Sequence, residues 1–196
     1  MSEATRTVDG IEIPGEGTWE IDPAHSRVAF VARHLMVTKV RGSFGVFGGT
    51  ITVGEQPEES SVEVVVDVAS LDSRSPDRDK HLLSADFLDV ERFPKITFGT
   101  TKVERTGHHA LRMTGDLTIR DVTRPVVLDA EFVGLTDDPW GGKRVAFEAA
   151  TEIDREDWDM TWNVALESGG VLVSKKVQVE VEVQAKFVAA VAEAVA

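Results

Sequence analysis

Arg78, Asp79, Lys80 and His81 stand side by side at the front of the segment RDKHLLSADFLDVERFP, residues 78–94. A guanidinium, an ammonium and an imidazole in such a group suit the binding of an anion. The first offers a planar fork of donors, the second a point charge, the third a donor whose charge changes near neutral pH. Further cations are spread along the chain. His34 closes an alternating apolar segment, and Lys143 and Arg144 follow the pair Gly141-Gly142. Lys175 stands in the inward phase of the last valine-rich segment. A lysine is costly to bury without a partner, which puts Lys175 at an edge.

Motifs for covalent or metal chemistry are missing. The sequence has no GxSxG, no Gly-rich phosphate loop and no HExxH. It has no cysteine, which excludes a disulfide framework, a thiolate metal site and a thiol nucleophile. His108 and His109 fall in an expected hairpin turn, where adjacent side chains diverge and do not share a metal. Asp154, Asp157 and Asp159 lack the glycine and remaining ligands of a calcium loop. His25 follows Asp22-Pro23 at a strand start, a pattern that braces a turn. No catalytic residue and no metal site are expected.

The elements that must position these groups are strands. Val28, Phe30, Ala32 and His34 alternate with Arg27 and Arg33; Val62, Val64, Val66 and Val68 with Glu63 and Asp67; Val177, Val179, Val181 and Val183 with Gln178, Glu180 and Glu182. Pure alternation gives one buried and one wet face, the mark of antiparallel strands. About eight or nine such segments with short turns predict an all-β fold, a closed barrel or a sandwich. Gly48-Gly49 reads as a tight hairpin, and Gly42 and Gly45 as a bend within a strand. The segment near residues 78–90 departs from this pattern. Leu82, Leu83, Phe87 and Leu88 recur at helical spacing, so a short helix over one end of the barrel is expected.

The 196 residues allow one domain: a flexible tail over residues 1–17, a barrel over 18–187 and a second tail over 188–196. The net charge of −13 disfavours nucleic acid and anionic membranes as partners. No apolar run approaches the ~20 residues of a membrane-spanning helix, so stable membrane insertion is not expected. The amino-terminal segment shows no apolar signal core, and a cytoplasmic location follows as an expectation.

An eight-stranded barrel is just wide enough to be filled by side chains or to hold one small ligand, and alternation leaves both open. If it is filled, Phe30, Phe44, Phe98, Ile119, Phe132 and Phe147 are packed core. If it is hollow, they line an apolar cavity. A head group at the mouth would then meet His34, Arg78, His81, Lys143 and Arg144.

Taken in order, WEIDPAHSRVAFVARHLMVTKVRGSFG, DRDKHLLSADFLDVERFPKITF, GDLTIRDVTRPVVLDAEF, DDPWGGKRVAFEA and IDREDWDMTWN resemble the YceI-like family over roughly residues 18–187. The resemblance implies a lipocalin-like antiparallel β-barrel. It implies a long-chain ligand, namely a polyisoprenoid such as a prenyl diphosphate or isoprenoid quinone, or a fatty-acid-like amphiphile, in a protein that pairs as a homodimer without enzymatic activity. Two positions depart from many relatives, with Leu83 in place of a basic residue and Asp121 in place of a glycine. The expected function is that of a lipid-binding protein for transport or storage. A packed, ligand-free, stress-related dimer and a lipid-modifying enzyme are the alternatives.

Overall fold

The structure is a computed structural model and describes residues 4–8, 10–167 and 169–188. Thirteen strands and one helix follow one another: β1 (Thr5–Val8), β2 (Ile11–Pro14), β3 (Gly17–Ile21), β4 (Arg27–His34), β5 (Thr38–Phe44), β6 (Phe47–Val53), β7 (Ser61–Asp67), β8 (Leu71–Asp72), α1 (Pro76–Leu83), β9 (Lys95–Arg105), β10 (Ala110–Ile119), β11 (Val122–Asp137), β12 (Lys143–Asp154) and β13 (Lys176–Val188).

Hydrogen bonding runs β12-β11-β10-β9-β7-β6-β3-β13 and returns from β13 to β12, which closes eight antiparallel strands into a barrel. Three of its walls are bent. β13 pairs with β3 along Ala185–Val188 and with β4 along Gln178–Glu182, so β3 and β4 are two halves of one wall joined by the 3-10 turn Pro23–His25. In the same way β5 and β6 meet at Gly45-Val46, and β7 and β8 at the turn Val68–Ser70. Each bend lets the wall curl at one end, as barrel corners require. The pair Gly48-Gly49, expected in a hairpin, lies inside β6 opposite Val65 and Val64; the change of direction falls at Gly45 instead.

α1 starts on Ser75 with Pro76 at its first position, a residue whose fixed φ suits a helix start. It ends at Leu83, and successive turns carry the chain onward: Phe87 N–H bonds the Ser84 carbonyl and Leu88 N–H the Leu82 carbonyl. The helix is thus shorter than the 78–90 span suggested by spacing, but Phe87 and Leu88 still face the barrel. Among the described residues no helix is long and apolar enough to cross a membrane.

The expected tail over residues 1–17 contains a hairpin. β1 and β2 pair in the register Thr5↔Pro14 to Val8↔Ile11. Lys143 Nζ, 2.9 Å from Asp137 and 3.8 Å from Glu12, ties this hairpin to the β11–β12 loop. The expected second tail lies, beyond Val188, outside the described residues.

Two core clusters result. One gathers Trp19, Ile21, Phe47, Ile51, Val66, Phe132, Val145 and Ala185; the other gathers Ile119, Val126, Leu128, Ile153, Trp158 and Met160. The indole N–H groups of Trp19 and Trp158 donate to the carbonyls of Gly15 and Leu117, so neither is orphaned by burial.

The β4–β5 turn carries strain. Leu35 and Met36 have φ of 52° and 61°, with Val37 N–H bonded to the His34 carbonyl. A turn with two left-handed central residues favours Asn-Gly. Both side chains are exposed, so replacing them loses little burial. The double substitution Leu35→Asn, Met36→Gly is expected to raise unfolding stability by roughly 1–2 kcal/mol, read as a higher denaturant midpoint at unchanged slope.

Candidate functional site

The inward residues do not fill the barrel. Val177, Val179, Val181 and Val183 point inward, yet remain only partly buried, and so do Phe30, Phe44, Phe98 and Phe147. All of them line a cavity of about 380 Å³, so the surface they retain faces the inside of the barrel. That size lies within the ~300–1,000 Å³ of small-molecule sites. The cavity reaches from Val8, Ile11, His109 and Leu111 at one end, the hairpin end, to Phe87, Leu88 and Met160 under α1 at the other, the helix end. Twelve residues of β12 span the wall between them. At ~3.3 Å per residue and a tilt near 40° this is roughly 28 Å along the barrel axis.

All six apolar residues singled out in the sequence, Phe30, Phe44, Phe98, Ile119, Phe132 and Phe147, line this cavity. The rings meet in pairs, Phe30 with Phe44 at 6.0 Å between centroids and Phe132 with Phe147 at 5.7 Å. Two of them lie against glycines in neighbouring strands. A Cβ at Gly42 would stand 2.4 Å from Phe30 Cζ, and one at Gly115 2.5 Å from Phe98 Cζ. Glycine at these positions lets the rings lie flat on the wall, out of the lumen.

The five expected head-group residues are not brought together. β4 and β12 both pair antiparallel with β13 and therefore run in the same direction. His34 ends β4 while Lys143 and Arg144 begin β12, so they sit at opposite ends of the barrel. Arg78 and His81, on α1, belong to the helix end. None of the five lines the cavity. Four of them have a side-chain partner of their own. The His34 side chain is exposed, and its backbone forms a β-bridge with Val173. Arg78 donates to the Ser73 hydroxyl at 2.7 Å and the Ser73 carbonyl at 2.8 Å. His81 lies 2.9 Å from Asp86 and packs edge-on against Trp162 at 4.5 Å and Phe87 at 5.1 Å, which clasps α1 to the 159–173 loop. Lys143 is held by Asp137. Lys175, expected at an edge, is exposed and ion-paired with Glu156 at 2.7 Å.

Arg144 is a structural clamp. Its guanidinium donates to Asp22 at 2.5 Å, Asp138 at 2.7 Å and Gln184 at 2.8 Å, joining the β3–β4 bend, the β11–β12 loop and β13. The bond from Arg144, followed by that from His25, lowers the Asp22 carboxyl from 3.8 to about 2. His25 and the Ala24 N–H both engage this carboxylate, the turn brace expected of Asp-Pro-x-His.

One lining residue stands outside the apolar set that strand alternation singles out. Arg155 lines the helix end of the cavity, and at 3% exposure it is the one buried residue among the charged lining residues described. Its Nε donates to the Ser174 carbonyl at 3.1 Å and its Nη1 to the Met160 carbonyl. The ring of Phe87 lies 5.7 Å from its guanidinium carbon. A signal for it existed. Arg155 continues the inward phase of Phe147, Ala149, Thr151 and Ile153, all of which line the cavity. Among the described residues, no three His, Asp or Glu side chains are grouped to hold a metal.

An eight-stranded antiparallel barrel enclosing an elongated apolar cavity, with a helix across one end, defines a lipocalin-like protein. The YceI-like domain model matches residues 19–185, and the chain belongs to that family. A UPF0312 protein of Vibrio parahaemolyticus is 42% identical over 138 residues, 70% of this chain and 73% of the relative. Protein YceI of Salmonella newport is 40% identical over 153 residues, 78% of this chain and 80% of its own. Among solved structures, the Campylobacter jejuni YceI protein superposes with a TM-score of 0.69 at 28% identity, covering 80% of this chain and 90% of that one. Burkholderia cenocepacia BcnA shares the fold with a TM-score of 0.72 at 20% identity, covering 84% and 98%. A polyisoprenoid binding domain of Saccharophagus degradans does so with 0.62 at 13% identity, covering 87% and 98%.

The Asp22 carboxylate stabilises the fold while it is ionised in the native state at a lower pH than in the unfolded chain. Its contribution is complete above 3.8 and is lost as pH falls towards 2. Urea midpoints measured from pH 5 to pH 2 are expected to show this loss, roughly 1–2 kcal/mol, and Asp22→Asn to flatten it.

Proposed function

We propose that this protein binds one long-chain amphiphile, a polyisoprenoid or an acyl lipid, inside the barrel, and that it works by holding its ligand, for transport or storage, without transforming it. The observation that carries this reading is the cavity itself: inward aromatic and valine side chains from many strands leave a continuous apolar channel between the two ends. An apolar chain drawn into it gains roughly 0.8 kcal/mol per buried CH₂. A tail of a dozen carbons thus offsets the cost of immobilising the ligand. The Saccharophagus degradans neighbour, described as a polyisoprenoid binding domain, supports the same ligand class. The sequence supplies no nucleophile with an adjacent base, which favours binding over turnover.

The test is to fill the cavity from its wall. Ala149 lines it and is paired with Val181 on β13. Ala149→Trp is expected to lower the affinity for 11-(dansylamino)undecanoic acid by about tenfold or more, with an unchanged β-sheet circular dichroism spectrum. Unaltered probe binding in this variant would place the ligand outside the barrel and defeat the reading.

A further inference from the structure

Arg155 is hard to account for as a structural residue alone. A guanidinium taken out of water without an ion pair is expensive, and burial pushes its pKa down. Its nearest acids, Asp154 and Glu156, are sequence neighbours whose carboxylates make no ion pair with it. Asp154 accepts from the Glu156 N–H at 3.1 Å, and Glu156 is paired with Lys175. Among the described residues no carboxylate lies within 4 Å of the Arg155 nitrogens. Two nitrogens bond backbone carbonyls, and the third, Nη2, is buried with no hydrogen-bond partner. Buried donors are almost always satisfied, so an orphan one in a cavity wall points to a ligand acceptor.

The surroundings tell what that acceptor is. Phe87, Leu88, Ile153 and Met160 line the same end of the cavity, so a ligand group there sits in an apolar, low-dielectric pocket. In such a setting a charge-assisted bond to an anionic oxygen is far stronger than at the surface. The hairpin end differs in degree: Arg6 also has a buried Nε without a hydrogen-bond partner, but its side chain is partly exposed, pairs with Glu16 and donates to the Gly54 carbonyl, and Arg105 and His109 are exposed there.

We propose that Arg155 binds the anionic head, a phosphate or carboxylate, of the amphiphile through Nη2, so that the ligand lies head-inward under α1 with its tail directed to the hairpin end. This rests on the reading of the cavity as an amphiphile site.

The experiment compares farnesyl monophosphate with farnesol, which share one tail, by isothermal titration calorimetry on the full chain and on Arg155→Met. The wild-type protein is expected to bind the phosphate about tenfold or more tightly than the alcohol. Arg155→Met is expected to abolish that preference while leaving the farnesol affinity within about threefold. A wild-type protein without preference, or a preference that survives Arg155→Met, overturns the assignment but leaves the cavity reading intact. A wild-type protein that binds neither ligand removes both. Inorganic phosphate in excess is expected not to compete, because the tail supplies most of the binding; competition would reassign the site to a free anion and overturn the lipid-head proposal.

Arg155 also braces Met160 and Ser174, and its loss can unfold the helix end. A second measurement therefore uses the unaltered protein. A palmitate analogue with a diazirine beside the carboxylate, photolysed when bound, is expected to label peptides carrying Phe87 or Met160. Label on peptides carrying Val8 or His109 would put the head at the hairpin end and overturn the proposal.

Discussion

Everything in this molecule depends on the pairing of β12 with β13. Eleven residue pairs, from Arg144↔Lys186 to Asp154↔Lys176, join the last two walls of the sheet. Without them the strands would form an open sheet with a long β13 edge, and alternation would give a flat apolar face with nothing to cover it. With them the apolar face becomes the inside of a tube, and eight strands fix a bore slightly larger than the side chains fill. The hollow is thus a consequence of strand number and closure, reinforced where Gly42 and Gly115 let Phe30 and Phe98 lie against the wall.

Closure leaves two ends to be sealed, and they are sealed by different means. At the hairpin end the cover is β1–β2, with Arg144 drawing Asp22, Asp138 and Gln184 together nearby. At the helix end α1 and the 159–173 loop meet through His81, Phe87 and Trp162, and Asn163 holds the loop by bonding Val173 on both its N–H and carbonyl. The buried guanidinium of Arg155 gives this end its polar character.

Much of this was legible in the chain. The period-two phase placed Phe30, Phe44, Phe98, Ile119, Phe132 and Phe147 on the inner face because strand geometry alone decides it. Phase could not say whether the interior was filled, since that depends on how wide the closed sheet is. The cations are a different matter, because their phase does not bring them to one end. Phase and position show that a residue lies at a strand terminus, but choosing the end requires strand direction, and β4 and β12 run the same way. Arg155 is hidden in the sequence because a charged residue among the acids of IDREDWD reads as surface, although it continues the inward phase of β12. The hairpin over residues 5–14 is too short for its alternation to stand out, and is stabilised by contacts from residues more than a hundred positions away, such as Lys143.

The most direct test of a hollow, occupied barrel is native mass spectrometry of the freshly purified protein, followed by solvent extraction and identification of what is released. The account predicts a stoichiometric adduct that extracts as a single class of long-chain isoprenoid or acyl amphiphile. A bare protein mass, unchanged after incubation with prenyl phosphates, isoprenoid quinones and fatty acids, would contradict it.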